Sequence, residues 1–272
     1  MTELFEFFQY EFIRNAFFTL IILSIPLGII GTLIVINRLV FSAEGIAHTA
    51  FGGIGLSLYF GQSPFLGASL FSIIMALFLG ALSSEKKERS DSLIGVIMAV
   101  SMAIGIIFIN LTPGYKSEPM TYLFGNILTV AKSDIIYSII FALICLLYIS
   151  VYYRKILLVS YDPSYALSKA INVKLHNMIF FLAIAITVLF VIKIAGLIML
   201  IALISIPAYI MEKYSKNLKK MIINSIIFTL FISIIGFLLS LKLNISSGGA
   251  IVIIGGIFFL LDKIKFTICK RV

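Results

Sequence analysis

Long apolar stretches alternate with short polar or charged ones along most of this chain. About 20 consecutive apolar residues form a helix long enough to cross a bilayer, at about 1.5 Å of rise per residue. The pattern predicts nine such helices, or eight if the first is re-entrant, at residues 15–36, 39–60, 65–82, 93–111, 134–152, 178–193, 195–211, 221–241 and 250–261. We therefore expect an all-α, polytopic membrane protein with one transmembrane domain over residues 1–272.

Two further stretches do not fit this spanning pattern. Residues 1–13 are aromatic and acidic, which is typical of a segment at the membrane–water interface. Residues 122–128 are apolar but too few to cross the bilayer, so we expect a re-entrant or interfacial helix there.

Composition supports a membrane protein and explains the positive net charge. Hydrophobic residues make up 61% of the chain and charged residues 12%, whereas soluble domains have about 45–50% and about 25%. The net charge of +9 would suit a nucleic-acid partner, but most of the 21 basic residues fall in alternate loops. These positions are Arg38, residues 86–89, 154–174 and 213–220, and the tail from Lys263. Basic loops stay in the cytoplasm, so we expect a cytoplasmic C-terminus and no nucleic-acid partner. The N-terminus is expected outside with nine helices, and inside if the first helix is re-entrant.

One predicted helix carries an acid and an imidazole inside its apolar run. Glu44 and His48 are one turn apart, so they share a helix face. If Arg38 lies at the membrane surface, Glu44 is roughly 9 Å and His48 roughly 15 Å deep. A charge at that depth costs on the order of 2.5–3.5 kcal/mol, so the pair is expected to face protein or water. We interpret it as a functional site; the alternative is a neutral pair that hydrogen-bonds to neighbouring helices and only supports packing.

Imidazole and carboxylate groups are ligands for zinc, manganese and iron(II), and the sequence does not choose between them. One chain supplies too few donors for a closed coordination shell. Two copies about a two-fold axis would supply two imidazoles and two carboxylates, so we expect a homodimer that shares the metal. The imidazole must be neutral to bind, so metal binding is expected to weaken in acid. The other histidine, His176, lies at a predicted span boundary, where a solvated side chain is expected.

The sequence lacks the features of an enzyme that hydrolyses ATP. It contains no Gly-x-x-x-x-Gly-Lys-Ser/Thr phosphate loop, so we expect no ATPase activity and no catalytic residues in this chain. Few buried acids other than Glu44 are expected, which argues against a proton relay built from many carboxylates.

A short amphipathic helix is predicted in the polar stretch before residue 178. Asp162 is suited to the N-cap and Pro163 to the first turn. An apolar stripe at helical spacing follows, consisting of Ala166, Leu167, Ala170 and Ile171. The stripe indicates either a helix that lies on the lipid surface or one that docks into a partner protein.

Six short segments, in this order along the chain, resemble the membrane permease of bacterial ABC importers for zinc, manganese or iron(II). They lie at residues 38–50, 88–105, 123–128, 162–173, 196–207 and 246–251. The resemblance covers nearly the whole chain. It departs from the family pattern at Glu44, where Asp is usual, and at Gly52 and Ser246, where Pro is common.

The resemblance implies a homodimeric permease that works by alternating access. A separate pair of ATPase subunits would use ATP and contact the helix at 162–173, and an extracytoplasmic solute-binding protein would deliver the metal. The permease would be a multi-pass protein of the bacterial cytoplasmic membrane, without a cofactor of its own. The resemblance assigns Glu44 and His48 to the metal. It gives structural or pathway roles to Arg38, Gly53, Asp91 and Pro207.

Two alternatives stay open. A secondary transporter or channel for a divalent cation would need no ATPase and would be active as this chain alone. An ABC permease for cobalamin or a ferric chelate would have a wider pathway without a metal ligand in the membrane. Glu44 and His48 favour a bare cation over a chelate.

Overall fold

The computed structural model describes residues 9–82, 87–113, 125 and 130–269 of the chain. In this part every regular element is an α-helix, which confirms the all-α prediction. The helices are α1 (Glu11–Ile36), α2 (Val40–Tyr59), α3 (Pro64–Leu82), α4 (Lys87–Leu111), α5 (Lys132–Tyr161), α6 (Pro163–Ser168), α7 (Val173–Tyr214), α8 (Leu218–Leu243) and α9 (Ser247–Cys269). The predicted short helix at 122–128 lies outside the described residues except for Gly125, as does the first part of the predicted interfacial segment.

Within the described residues, eight segments are long and apolar enough to cross a membrane, which confirms a polytopic membrane protein. They are α1, α3, Asp91–Leu111 of α4, α5, the two parts of α7 (Val173–Ile192 and Ile194–Tyr214), α8 and Ser247–Lys265 of α9. Helix α2 is not among them, because Glu44, His48 and several glycines make it less apolar. Its 20 residues still measure about 30 Å, enough to cross the hydrocarbon core.

Several helices extend beyond their predicted ends, including α1, α5 and α9. Helix α1 begins at Glu11 and so includes the end of the predicted interfacial segment, because an acid in the first turn favours a helix N-terminus. Helix α5 continues to Tyr161 instead of ending near residue 152, because no glycine or proline interrupts it before Pro163.

The two spans within α7 follow each other without a loop. Gly196 separates them, with φ 78° and ψ 170°, a backbone conformation that essentially only glycine adopts. This break confirms the predicted boundary between the spans at 178–193 and 195–211. The first of them begins earlier than predicted, at Val173.

The chain divides into two compact units. The first unit contains α1, the first part of α5, the second part of α7, α8 and α9. Its α1 packs Gly28 against Ile226 of α8 and buries Ile29 and Ile30 completely. The second unit contains α2, α3, α4, the end of α5, α6 and the first part of α7. There α2 is the central element, because both α3 and α4 pack along it.

Candidate metal site

Small residues let α2 pack closely against α3 and α4 in the second unit. Gly53 lies so near Gly67 of α3 that a Cβ on either glycine would overlap the carbonyl oxygen of the other. A Cβ on Gly52 would lie 2.6 Å from the carbonyl oxygen of Ser101 on α4. Close contacts through small residues are typical of helices in membranes. This packing holds the helix that carries the predicted metal ligands.

Glu44 and His48 are the only residues between positions 42 and 55 that are not buried. Both side chains are half-buried, and Phe41, one turn before Glu44, is 39% exposed. These three residues lie on one face of α2, as the spacing predicts. The described part of the chain therefore covers α2 everywhere along this stretch except at the face with the acid and the imidazole.

Neither ligand candidate is tied into a structural network. Among the described residues, Glu44 and His48 make no hydrogen bond and no ion pair, and Nδ1 of His48 is buried without a partner. By contrast, the neighbouring Thr49 hydroxyl donates to the carbonyl oxygen of Gly45 at 2.6 Å. Buried polar groups with a purely structural role are normally hydrogen-bonded. The bonds expected for a packing role are thus absent from the part of the chain that the structure describes.

The described residues of one chain do not form a complete metal site. No group of three or more His, Cys, Asp or Glu side chains among them is arranged to hold a metal ion. Glu44 and His48 offer one carboxylate and one imidazole, whereas zinc takes four ligands and manganese up to six. Further donors would have to come from outside the described residues, for example from a second chain or from water.

The other predicted residues are spread over several elements. Arg38 is exposed in the turn between α1 and α2, Asp91 is exposed in α4, and Pro207 is buried in α7. His176 is half-buried and not fully solvated as predicted, because α7 begins at Val173 and includes it.

The predicted amphipathic helix is shorter than its apolar stripe. Asp162 caps α6 as predicted, since its carboxylate accepts the backbone N–H of Tyr165 at 2.9 Å. The helix ends at Ser168, and Ala170 has φ 56°, a left-handed conformation that does not continue a helix. Ala170 and Ile171 therefore lie beyond α6.

The two stripe residues that lie within α6 differ sharply in exposure. Ala166 is completely buried, whereas Leu167 is 62% exposed. The neighbouring Tyr165, outside the stripe, is 47% exposed. A partner protein that docks on α6 would therefore contact Leu167 and Tyr165, and Ala166 would be inaccessible to it.

Two buried acids were not predicted. Asp262 on α9 is 8% exposed and accepts hydrogen bonds from Nζ of Lys213 and, at 2.8 Å, from the hydroxyl of Tyr214. Asp134 is 7% exposed and caps its own helix, α5. Few buried acids besides Glu44 were expected, and these two among the described residues are both more buried than Glu44. Both acids accept hydrogen bonds, however, whereas Glu44 makes none within the described chain.

The fold defines the class of protein: a multi-pass, all-α membrane protein with an acid and an imidazole on one inner helix. The sequence model of the ABC 3 transport family matches residues 9–265. The chain belongs to this family, which confirms the resemblance drawn from its motifs.

Relatives and a solved structure agree with this assignment. The chain is 40% identical over 254 residues to an uncharacterized membrane protein of Synechocystis sp., covering 93% of this chain and 90% of that protein. It is 30% identical to the manganese transport system membrane protein MntC of Listeria monocytogenes, covering 92% of this chain and 89% of that protein. The structure of PsaBC from Streptococcus pneumoniae in complex with Fab matches with a TM-score of 0.84 and 26% identity, covering 96% and 94% of the two chains.

Proposed function

We propose that this chain is the membrane permease of an ATP-driven importer for a divalent transition-metal cation, with manganese as the favoured cargo. Membership of the ABC 3 transport family and the name of the Listeria relative support this proposal. The main structural support for the proposal is the accessibility of two residues on α2. Glu44 and His48, both without partners in the described chain, are the only unburied residues along residues 42–55.

The proposed site is shared by two copies of the chain. Each copy would present Glu44 and His48, so that a two-fold axis brings together two carboxylates and two imidazoles. Manganese would complete a six-coordinate shell with water or with bidentate carboxylates, whereas zinc would need only four ligands. The bound cation would also neutralise the two acids, which lowers the cost of keeping them in the membrane.

The permease would depend on other proteins for energy and for delivery of the cargo. Separate ATPase subunits would bind ATP and dock on α6, where Leu167 and Tyr165 are exposed. An extracytoplasmic solute-binding protein would supply the cation. The whole chain would act as one transmembrane domain in the cytoplasmic membrane, with its basic loops and its C-terminus in the cytoplasm.

Uptake of manganese by whole cells tests this proposal. The cells would express the permease together with its ATPase and its solute-binding protein. We expect His48→Ala and Glu44→Ala to reduce uptake to the level of cells without permease, because each removes a ligand. Glu44→Asp should retain uptake, because it keeps the carboxylate. Uptake by wild type should fall as the medium is acidified, since protonated imidazole cannot bind metal.

His176→Ala serves as the matched control. It replaces the other histidine of the chain, which is also half-buried but lies on a different helix, α7. All variants should reach the membrane in equal amounts and copurify with the ATPase. Wild-type uptake by His48→Ala would refute the site, and equal losses in His48→Ala and His176→Ala would indicate a general defect instead.

A further inference from the structure

A sizeable cavity lies in the second unit, apart from the face of α2 that carries Glu44 and His48. Its volume is about 660 Å³, far more than the ~30 Å³ that one water molecule occupies. It opens where α5 ends and α7 begins, next to the turn after α1, so it lies at the ends of candidate spans. Its polar lining consists of Asn37, Arg38, Ser160, Lys174 and Asn177.

The cavity carries two positive charges that nothing in the described chain neutralises. Arg38 and Lys174 both line it, and both are exposed. Among the described residues, neither forms a hydrogen bond or an ion pair, and no carboxylate is found in the lining. An anion that enters the cavity would therefore meet two cationic side chains without competition. The guanidinium group of arginine matches two oxygens of a phosphate group at once.

The backbone around Arg38 is held in an unusual conformation. Arg38 has φ 56°, in the left-handed region that residues with a side chain rarely adopt. Beside it, Nδ2 of Asn37 donates to the hydroxyl of Ser160 on α5 at 3.1 Å. This bond links the turn before α2 to the opposite wall of the cavity. The surrounding contacts thus keep Arg38 at the rim, and such strained positions are often found where a ligand binds.

The apolar lining indicates which kind of anion fits. Val159 and Phe181 line the cavity and are almost completely buried, so part of its wall is apolar. Basic pockets between helices at a membrane boundary are suited to lipid headgroups, because the phosphate meets the cations while the glycerol and chains stay next to apolar surface. We propose that this cavity binds the phosphate headgroup of an anionic phospholipid.

Lipid retention by the purified, full-length permease tests this proposal. The protein would be transferred to phosphatidylcholine nanodiscs, titrated with phosphatidylglycerol, and the bound lipid counted by native mass spectrometry. We expect Arg38→Gln and Lys174→Gln each to weaken phosphatidylglycerol binding about fivefold, and the double variant about thirtyfold. The charge-conserving pair Arg38→Lys and Lys174→Arg should bind nearly as well as wild type.

The matched control is Lys219→Gln with Lys220→Gln. These two exposed lysines lie in the first turn of α8, in the other unit, and do not line the cavity. We expect them to leave binding unchanged. Equal binding by wild type and by the Arg38/Lys174 double variant would overturn the proposal, and so would an equal loss in the control.

Two further measurements distinguish binding of a lipid from binding of another anion. Millimolar inorganic phosphate should not displace phosphatidylglycerol; if it did, the cavity would be a site for soluble phosphate and the lipid assignment would be wrong. The double variant should still copurify with the ATPase. Loss of the ATPase with retention of the lipid would show that the two cations serve an acidic surface of that partner instead.

Discussion

At the scale of single residues, accessibility and the lack of partners set Glu44 and His48 apart. Asp134 and Asp262 are more buried, but each carboxylate accepts hydrogen bonds within the chain. Among the described residues, Glu44 and His48 make no hydrogen bond. They lie on the face of α2 that the described chain leaves uncovered between residues 42 and 55. An acid and an imidazole in that position are available to something outside the chain, such as a cation.

Residue exposure also decides which side chain tests the proposed contact with the ATPase. We expect Leu167→Asp to lower metal uptake and to weaken copurification of the ATPase, because it puts a charge on the exposed apolar side chain of the proposed contact. The melting temperature of the permease alone should not change, since Leu167 is 62% exposed. Uptake, copurification and thermal unfolding measure these effects.

Two other variants make this test specific. Leu243→Asp introduces the same change at a similarly exposed position, 55%, at the end of α8, which is predicted to lie on the other side of the membrane, and should keep the ATPase bound. Ala166→Asp should instead lower the melting temperature, because Ala166 is completely buried. If Leu167→Asp and Leu243→Asp behave alike, α6 is not the contact.

The sequence was sufficient to find Glu44 and His48, because ionisable residues stand out in an apolar run. It could not reveal that Asp262 pairs with Lys213 and Tyr214, which lie 49 and 48 positions away along the chain. Nor could it separate Ala166 from Leu167, because the helix pattern does not say which side faces the neighbouring elements. Partners that come from distant helices depend on the tertiary fold.

At the scale of elements, α2 differs from the other long helices. Among the long helices of the described chain, it alone has no stretch apolar enough to be a candidate membrane span, and it is the central element of its unit, packed by α3 and α4. A helix with an acid and an imidazole can lie at membrane depth only where protein or water surrounds it. The glycines of α2 provide that surrounding by letting its neighbours approach closely.

The glycine contacts of α2 lead to a stability prediction. Gly53→Ala should destabilise the protein by about 1–3 kcal/mol, because the new methyl group would overlap the backbone of Gly67. We expect a lower midpoint of thermal unfolding and reduced metal uptake.

Gly256→Ala is the control for this change. Gly256 lies inside α9, and apart from its own stretch of helix no described residue has an atom within 4 Å of a Cβ placed there. Alanine should be tolerated or slightly stabilising at that position, since it favours helix more than glycine does. An unchanged unfolding midpoint in Gly53→Ala would show that α2 and α3 are not as tightly packed as described.

Most elements could be predicted because apolar length is a strong signal for membrane helices. The ends of the helices were harder to predict, because the sequence after residue 152 contains no glycine or proline before Pro163 and so continues the helix to Tyr161. The early end of α6 depends on Ala170, whose left-handed conformation no propensity would predict for alanine.

At the scale of the whole molecule, the distribution of basic residues predicts the orientation in the membrane. We expect the turn between α8 and α9 to face outward and the end of α9 to face the cytoplasm. Ser246→Cys and Thr267→Cys probe these two places, and both positions are exposed.

Labelling of whole cells with a membrane-impermeant maleimide measures the orientation. Both variants would be made in a Cys269→Ser background, since the remaining Cys145 is buried. The cysteine at position 246 should react in intact cells, and that at 267 only after permeabilisation. The opposite pattern would reverse the orientation.

The central claim is that two copies of the chain complete one metal site with Glu44 and His48. Titration of the purified permease with Mn²⁺, followed by metal analysis after removal of unbound metal, tests it most directly. We predict one ion for every two chains in wild type and in Glu44→Asp, and no retained ion in His48→Ala. One ion for each chain, or the wild-type ratio in His48→Ala, would contradict the claim.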